Sequence, residues 1–342
     1  MTAQPEPVGA GRRGGTGTGA GRAGRRRRGG EQPMVPDANF TSYYGRPVLK
    51  AAPWTADIPA YLFLGGVSGG SALLAAGADL TGRPALRRTA RLGAASSIVA
   101  SFGLLVHDLG KPARFANMLR VAKVTSPMSV GTWILTMYGP LAGLAAAAEL
   151  RRLVPRRLKW LAGLLGLVGR PAGLGAAVLG PAVASYTAVL LADTATPAWH
   201  EAHRELPFVF VGSAASAAGG LGMLGTPVTE AGPARRLALV GAGLELAAER
   251  EMESSMGLAA ETLRTGVAGR LMRASKALTA AGALGSLAAS RSRPAAAVSG
   301  AALLAGSACL RFGIFHAGQQ SAHDPKFTVV PQRERLDARE SS

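Results

Sequence analysis

Glu245, Glu249 and Glu253 recur at every fourth position, so on a helix they form one acidic stripe. An ionisable group at bilayer depth is costly and usually functional, which makes Glu245 a candidate for a proton path and Glu149 a second one. Glu249 and Glu253 also read as charges lying beyond the membrane edge beside Arg250. Asp57 and Tyr61 are four apart as well, so a carboxylate and a phenol share one helical face, where they can hydrogen-bond and exchange protons. Asp57 equally suits the N-cap of the helix it begins. His107, Asp108, Lys111 and Arg114 form a compact run of ionisable groups that reads either as part of a site or as a solvated cluster at a helix end.

Several patterns match catalytic motifs without their context. Gly66-Val67-Ser68-Gly69-Gly70 has the G-x-S-x-G spacing of serine hydrolases, but it sits in an apolar run and not between a strand and a helix. The overlapping pairs Gly65/Gly69 and Gly66/Gly70 there predict close helix packing. His200-Glu201-Ala202-His203 is one residue short of the zinc-protease spacing, so the two imidazoles do not share a face. Gly110-Lys111-Pro112 lacks the upstream glycine and the Ser/Thr of a phosphate loop. His107, His200, His203, His316 and His323 fall at helix ends or in loops, which predicts no bis-histidine haem. The single cysteine, Cys309, excludes an internal disulfide and a cluster held by several thiolates within this chain.

The elements that must carry these groups are apolar helices. Of 342 residues, 48% are hydrophobic and only 17% charged, and the charges gather in clusters between apolar runs about 20 residues long. That is the length of a helical membrane crossing, where backbone groups must be satisfied within the segment. The expected fold is therefore all-α: a polytopic transmembrane bundle of about eight helices, compatible with two four-helix halves. The crossings are placed at 58–78, 90–108, 129–150, 173–193, 206–226, 235–253, 273–291 and 295–316. Trp160 to Val168 is too short to cross alone and is cut off by Arg170-Pro171, so it is expected to lie in the interface.

Residues 1–36 form a basic, Gly-rich tail expected to be disordered. No apolar stretch follows its arginines until Ile58, so cleavage and export are not expected. Residues 37–57, with Tyr43, Tyr44 and Trp54, suit the membrane surface. Residues 58–316 make the transmembrane domain and 317–342 a polar C-terminal tail. The net charge of +18 comes from arginines in the tail and at segment ends, where they meet headgroups. No basic run is interleaved with aromatics, so nucleic acid is excluded as a partner and membrane lipid is not. The short loops after the first, third, fifth and seventh crossings are rich in arginine and favour termini outside, whereas the basic N-terminal tail favours the reverse.

Three stretches carry a family resemblance. Trp54 to Gly66 resembles the first helix of the polysulfide reductase membrane-subunit (NrfD) family. His107-Asp108-Leu109-Gly110-Lys111-Pro112-Ala113-Arg114-Phe115 with Ser126 to Trp133 is similar to its most distinctive segment, and Ser185 to Leu191 with Pro197-Ala198-Trp199 to its fourth helix. Asp324 to Arg333 resembles members that accompany formate-dehydrogenase-like molybdenum enzymes. The resemblance implies a cofactor-free membrane anchor that exchanges electrons between quinone or quinol and an iron–sulfur subunit, with a molybdopterin catalytic subunit beyond it. It places a quinone-contacting tyrosine at Tyr186, with Asp57, Tyr61, His107 and Asp108 around the quinone and Lys111 and Arg114 available to dock the partner. Asp57 and Tyr61 stand near positions where some members have an amide and an imidazole. A belt tyrosine is the plainer reading of Tyr186. Two other functions remain: a transporter built on the Glu245 stripe, with a helix broken at Gly180-Pro181, and a purely structural anchor.

Overall fold

A computed structural model describes residues 47–111 and 113–340. The basic tail and residues 37–46 of the 37–57 segment lie outside the described residues. The described chain forms α1 (Asp57–Leu80), α2 (Pro84–Asp108), α3 (Arg114–Leu119), α4 (Pro127–Glu149), α5 (Lys159–Ala192), α6 (Pro197–Glu201), α7 (Leu206–Gly225), α8 (Gly232–Ser255), α9 (Gly266–Ala288), α10 (Arg293–His323) and α11 (Lys326–Glu340). No strand occurs among the described residues. Six helices, α1, α2, α4, α5, α7 and α10, are long and apolar enough to span a bilayer. α8 and α9 match them in length, with 24 and 23 residues, and carry the charges that lower their hydropathy.

α1, α2, α4 and α5 pack as one four-helix group and α7 to α10 as a second, with α1 against α7 and α10 along the seam. Glycine sets the closest approaches. A Cβ on Gly69 would strike the Gly180 carbonyl of α5, one on Gly180 would meet the Gly69 carbonyl at 2.5 Å, and one on Gly70 would lie 2.6 Å from the Ala214 carbonyl of α7. Gly69 of α1 thus faces α5, Gly66 and Gly70 face the second half, and Gly65 lies nearest Ser101 of α2, while Ser68 hydrogen-bonds Tyr138 at 2.8 Å within the core. Gly69→Ala is expected to destabilise the bundle by about 1–3 kcal/mol, the usual cost of overpacking. Gly77→Ala and Gly143→Ala, which face open space, should be neutral or slightly stabilising. Thermal unfolding of the detergent-purified variants reads the contrast, and equal melting temperatures would refute this packing account.

Three boundaries differ from the sequence reading. Trp160 to Val168 is not a separate interfacial piece: it is the first part of α5, which runs unbroken for 34 residues through Pro171 and Pro181. A proline deprives a helix of one hydrogen bond, and packing on both sides holds the axis together. The break at Gly180-Pro181 that a transporter would use is absent. α2 begins at Pro84, because Arg87 and Arg91 are held by carboxylates of neighbouring helices and need not be excluded from the span. α10 continues to His323, which puts His316 inside a helix, and α11 follows with Phe327 buried.

Segment 47–56 is tied down over the bundle end that holds Asp57. Gln319 Nε2 donates to the Ala52 carbonyl at 2.9 Å, and Trp54 stacks on Trp199 with centroids 5.5 Å apart. Trp199, fully buried, donates Nε1 to the Ile314 carbonyl at 2.8 Å, which locks α6 to α10.

Candidate functional site

At the Asp57 end of the first half, α1, α2, α4 and α5 diverge around a cavity of about 450 Å³, closed from above by α3 and Trp54. Its walls are apolar: Ile58, Leu62, Leu105, Leu135, Leu190 and Leu191. Tyr61 and Tyr186 stand within them, both buried, with their hydroxyls hydrogen-bonded to each other. Tyr61, Gly65 and Gly69 are four apart, so the face that brings α1 onto α5 also aims Tyr61 at it. Tyr186 packs on Gly131 of α4, where a Cβ would lie 2.5 Å from its ring. Gly131 lies in the Ser126 to Trp133 stretch, and its role in seating an aromatic ring is visible only in three dimensions. Tyr186 is therefore an interior residue and not a belt tyrosine.

Asp108 and Arg114 line the same cavity on its outer side. Asp108 Oδ1 accepts from the Thr55 amide at 3.3 Å and from the Thr55 hydroxyl at 3.1 Å. Arg114 Nη1 donates to the Leu109 carbonyl at 3.1 Å. Asp57 and His107 stand at the rim, with Asp57 Oδ2 2.6 Å from His107 Nδ1 and 3.2 Å from the Thr55 hydroxyl. Asp57 is not a cap: Ala56 holds that position, and no side chain caps the helix. Because the Thr55 hydroxyl reaches both carboxylates, the polar groups run without a gap from exposed His107 through Asp57 and Thr55 to Asp108 on the cavity wall. Lys111 is exposed and does not line the cavity. Thr55, Asn117 and Thr132 join the site without having been singled out, since single hydroxyls and amides carry no spacing signal.

The remaining candidates lie elsewhere. Glu149 is at the opposite end of the bundle, accepting from Arg87 Nε at 2.7 Å and Arg91 Nη1 at 2.9 Å. Glu245 is fully buried in the second half, where Ser216 of α7 and Thr279 of α9 donate to its two oxygens at 3.0 and 3.1 Å. Glu249 is fully buried too, 3.5 Å from Lys276 Nζ, and so does not sit beyond the bundle edge. Lys276 also pairs with Glu253 at 2.5 Å. Arg311 of α10, 1% exposed, lies over the Phe210 ring at 3.6 Å, and its Nη2 donates to the Phe210 carbonyl at 2.9 Å. It touches the seam, since a Cβ on Gly66 of α1 would come 3.2 Å from the same nitrogen. A lone arginine inside the apolar run 295–316 was the available signal for this residue.

Among the described residues, no group of three or more His, Cys, Asp or Glu is arranged to hold a metal ion. No curated protein matches the chain. The family model described as Polysulphide reductase, NrfD matches residues 48–229, which take in every wall of the Tyr61–Tyr186 cavity but not Glu245 or Arg311. Members of that family are membrane subunits of polysulphide-reductase-like complexes, associated with the quinone pool and with iron–sulfur and molybdoenzyme subunits. With more than half its length matched, and with helices that fit a bilayer, this chain belongs to the NrfD polysulphide reductase family and is a multi-pass integral membrane protein.

Proposed function

We propose that the chain is the quinone-facing subunit of an oxidoreductase complex, passing electrons between quinone or quinol and an iron–sulfur partner. The observation that carries this reading is the apolar cavity with a paired tyrosine couple inside it and a carboxylate at its outer side. A quinone ring needs flat apolar walls, hydrogen-bond donors for its two carbonyls, and a route for two protons per two-electron reduction. The tyrosine hydroxyls suit one carbonyl and the Arg114 guanidinium the other, while Asp108, an acceptor from Thr55, suits a quinol hydroxyl. The run His107–Asp57–Thr55–Asp108 connects the cavity wall to solvent for proton exchange. Lys111 and Arg114, beside the mouth, are basic contacts for the iron–sulfur partner. A molybdopterin catalytic subunit of the formate-dehydrogenase-like kind rests on the Asp324 to Arg333 resemblance alone.

The buried series in the second half favours an added role in moving protons. Glu253, Glu249 and Glu245 lead inward along α8, and Arg311 stands where the two halves meet. Glu149, held by two arginines at the other end, has no such connection.

Trp54 lines the cavity and makes binding observable. A short-chain quinone should quench the tryptophan fluorescence of the detergent-purified chain saturably. Gly131→Leu, which drives the Tyr186 ring into the cavity, should weaken that binding at least tenfold and lower the melting temperature by the same overpacking. Quenching that rises linearly with quinone in both proteins would mean partition into detergent and would count against the site.

A further inference from the structure

At the opposite end of the first half, a second cavity of about 430 Å³ opens between the C-termini of α1 and α4, the first part of α2 and residues 166–170 of α5. It is lined by six arginines and two carboxylates. Three of the arginines are engaged with those carboxylates: Arg87 with Asp79 and Glu149, Arg91 with Glu149, and Arg170 with Asp79. Arg88, Arg151 and Arg152 make no ion pair or side-chain hydrogen bond with another described residue, and the cavity carries a net positive charge. Arg91 is 6% exposed, and its Nε, against Gly173 of α5, has no hydrogen-bond partner, so the free positive charge of the cavity belongs to the three arginines that no carboxylate engages.

We infer that this cavity binds the phosphate headgroup of an anionic diacyl phospholipid. Planar guanidinium groups match phosphate oxygens in pairs. The depth fits as well: the cavity joins helix ends, at headgroup level, and basic pockets between membrane helices bind such headgroups. The wall continues into an apolar surface suited to acyl chains. Leu167, beside Gly166 in the wall, is 76% exposed. Gly166 keeps that wall open, since a Cβ there would lie 2.5 Å from an Arg151 guanidinium nitrogen. A free phosphate would use the same arginines but would gain nothing from that apolar surface.

The test uses the full chain in nanodiscs containing equal phosphatidylglycerol and phosphatidylcholine, released into a mass spectrometer under native conditions. Retention of phosphatidylglycerol on the protein is expected at roughly fivefold per unpaired arginine, about a hundredfold over phosphatidylcholine in all. Arg88→Gln, Arg151→Gln and Arg152→Gln together should remove most of that preference. They leave the Asp79 and Glu149 ion pairs in place. In detergent, phosphatidylglycerol should raise the melting temperature of the unaltered chain, and inorganic phosphate or glycerol 3-phosphate should not. Equal retention of the two lipids overturns the inference even if the triple variant does not accumulate. Equal stabilisation by inorganic phosphate reassigns the cavity to a soluble anion and also overturns it.

Discussion

Tyr186→Phe is expected to lower quinone turnover by about a hundredfold while leaving assembly intact. The substitution removes one hydroxyl from a buried, mutually hydrogen-bonded pair and keeps the ring that packs on Gly131. General acid–base groups typically contribute 10²–10⁴-fold, and a phenol that only orients a carbonyl falls at the low end. Tyr61→Phe should cost a similar factor. Because each hydroxyl holds the other in place, the double variant should lose much less than the product of the two single losses. The measurement is quinone-dependent turnover of the complex in native membranes, normalised to the amount of partner co-purified through a tag on this chain. Wild-type turnover in Tyr186→Phe would reduce the chain to a structural anchor. Lost turnover together with lost partner would place the defect in assembly and not in the site. Asp108→Asn provides a separate reading, since it removes the carboxylate of the polar run at the cavity wall: turnover should fall while the amount of co-purified partner does not.

Arg311→Met is expected to destabilise the chain by about 1–3 kcal/mol, through loss of the charged hydrogen bond to the Phe210 carbonyl and of the contact over the Phe210 ring. Arg311 and Glu245 are both buried in the second half, and the hydroxyls of Ser216 and Thr279 donate to the carboxylate. Methionine fills much of the same volume but gives no donor to the Phe210 carbonyl. Glu245→Gln in the same chain measures whether the two buried charges act on each other: a double-variant loss smaller than the sum of the single losses shows coupling, and an additive loss shows none. Thermal or denaturant unfolding in a single detergent reads the cycle. If the single variant is as stable as the original, Arg311 is not what holds α10 against α7. If the double variant is stable but turnover falls, the two groups serve function, which fits the proton role of the second half.

The two predictions fall in different halves, and the separation matters for their interpretation. The quinone-binding reading rests on helices inside the family match, and the proton reading on Glu245, Glu249, Glu253 and Arg311, which lie beyond residue 229. α1 joins them: its glycines accept α5 on one side and α7 with Arg311 on the other. A lesion at Gly69 therefore disturbs the first half directly, whereas one at Gly66 presses on the buried arginine.

By itself the sequence determined the class of fold, most helix positions and which residues were worth watching. The reason is that lipid imposes its constraints locally: a crossing must be about 20 apolar residues long and must satisfy its own backbone, so span and breaks are written along the chain. Tyr61 was legible from its spacing to Asp57, Tyr186 through the family resemblance, and Glu245 as an ionisable group in an apolar run. What only the tertiary structure decided is which of these groups meet. Tyr61 and Tyr186 are 125 positions apart, and no periodicity on one helix reports the helix that faces it. Gly180-Pro181 reads as a break until α1 is seen packed against it, and Arg170 reads as a boundary until Asp79 is found 3.3 Å away. Arg311 and Glu249 reveal their cost only when burial is known, because a charge at a helix end and a charge in a core are written with the same letter. Helix formation in a membrane is a property of segments, whereas a binding cavity or a buried ion pair is a property of contacts between segments, and those are fixed by side-chain fit in three dimensions.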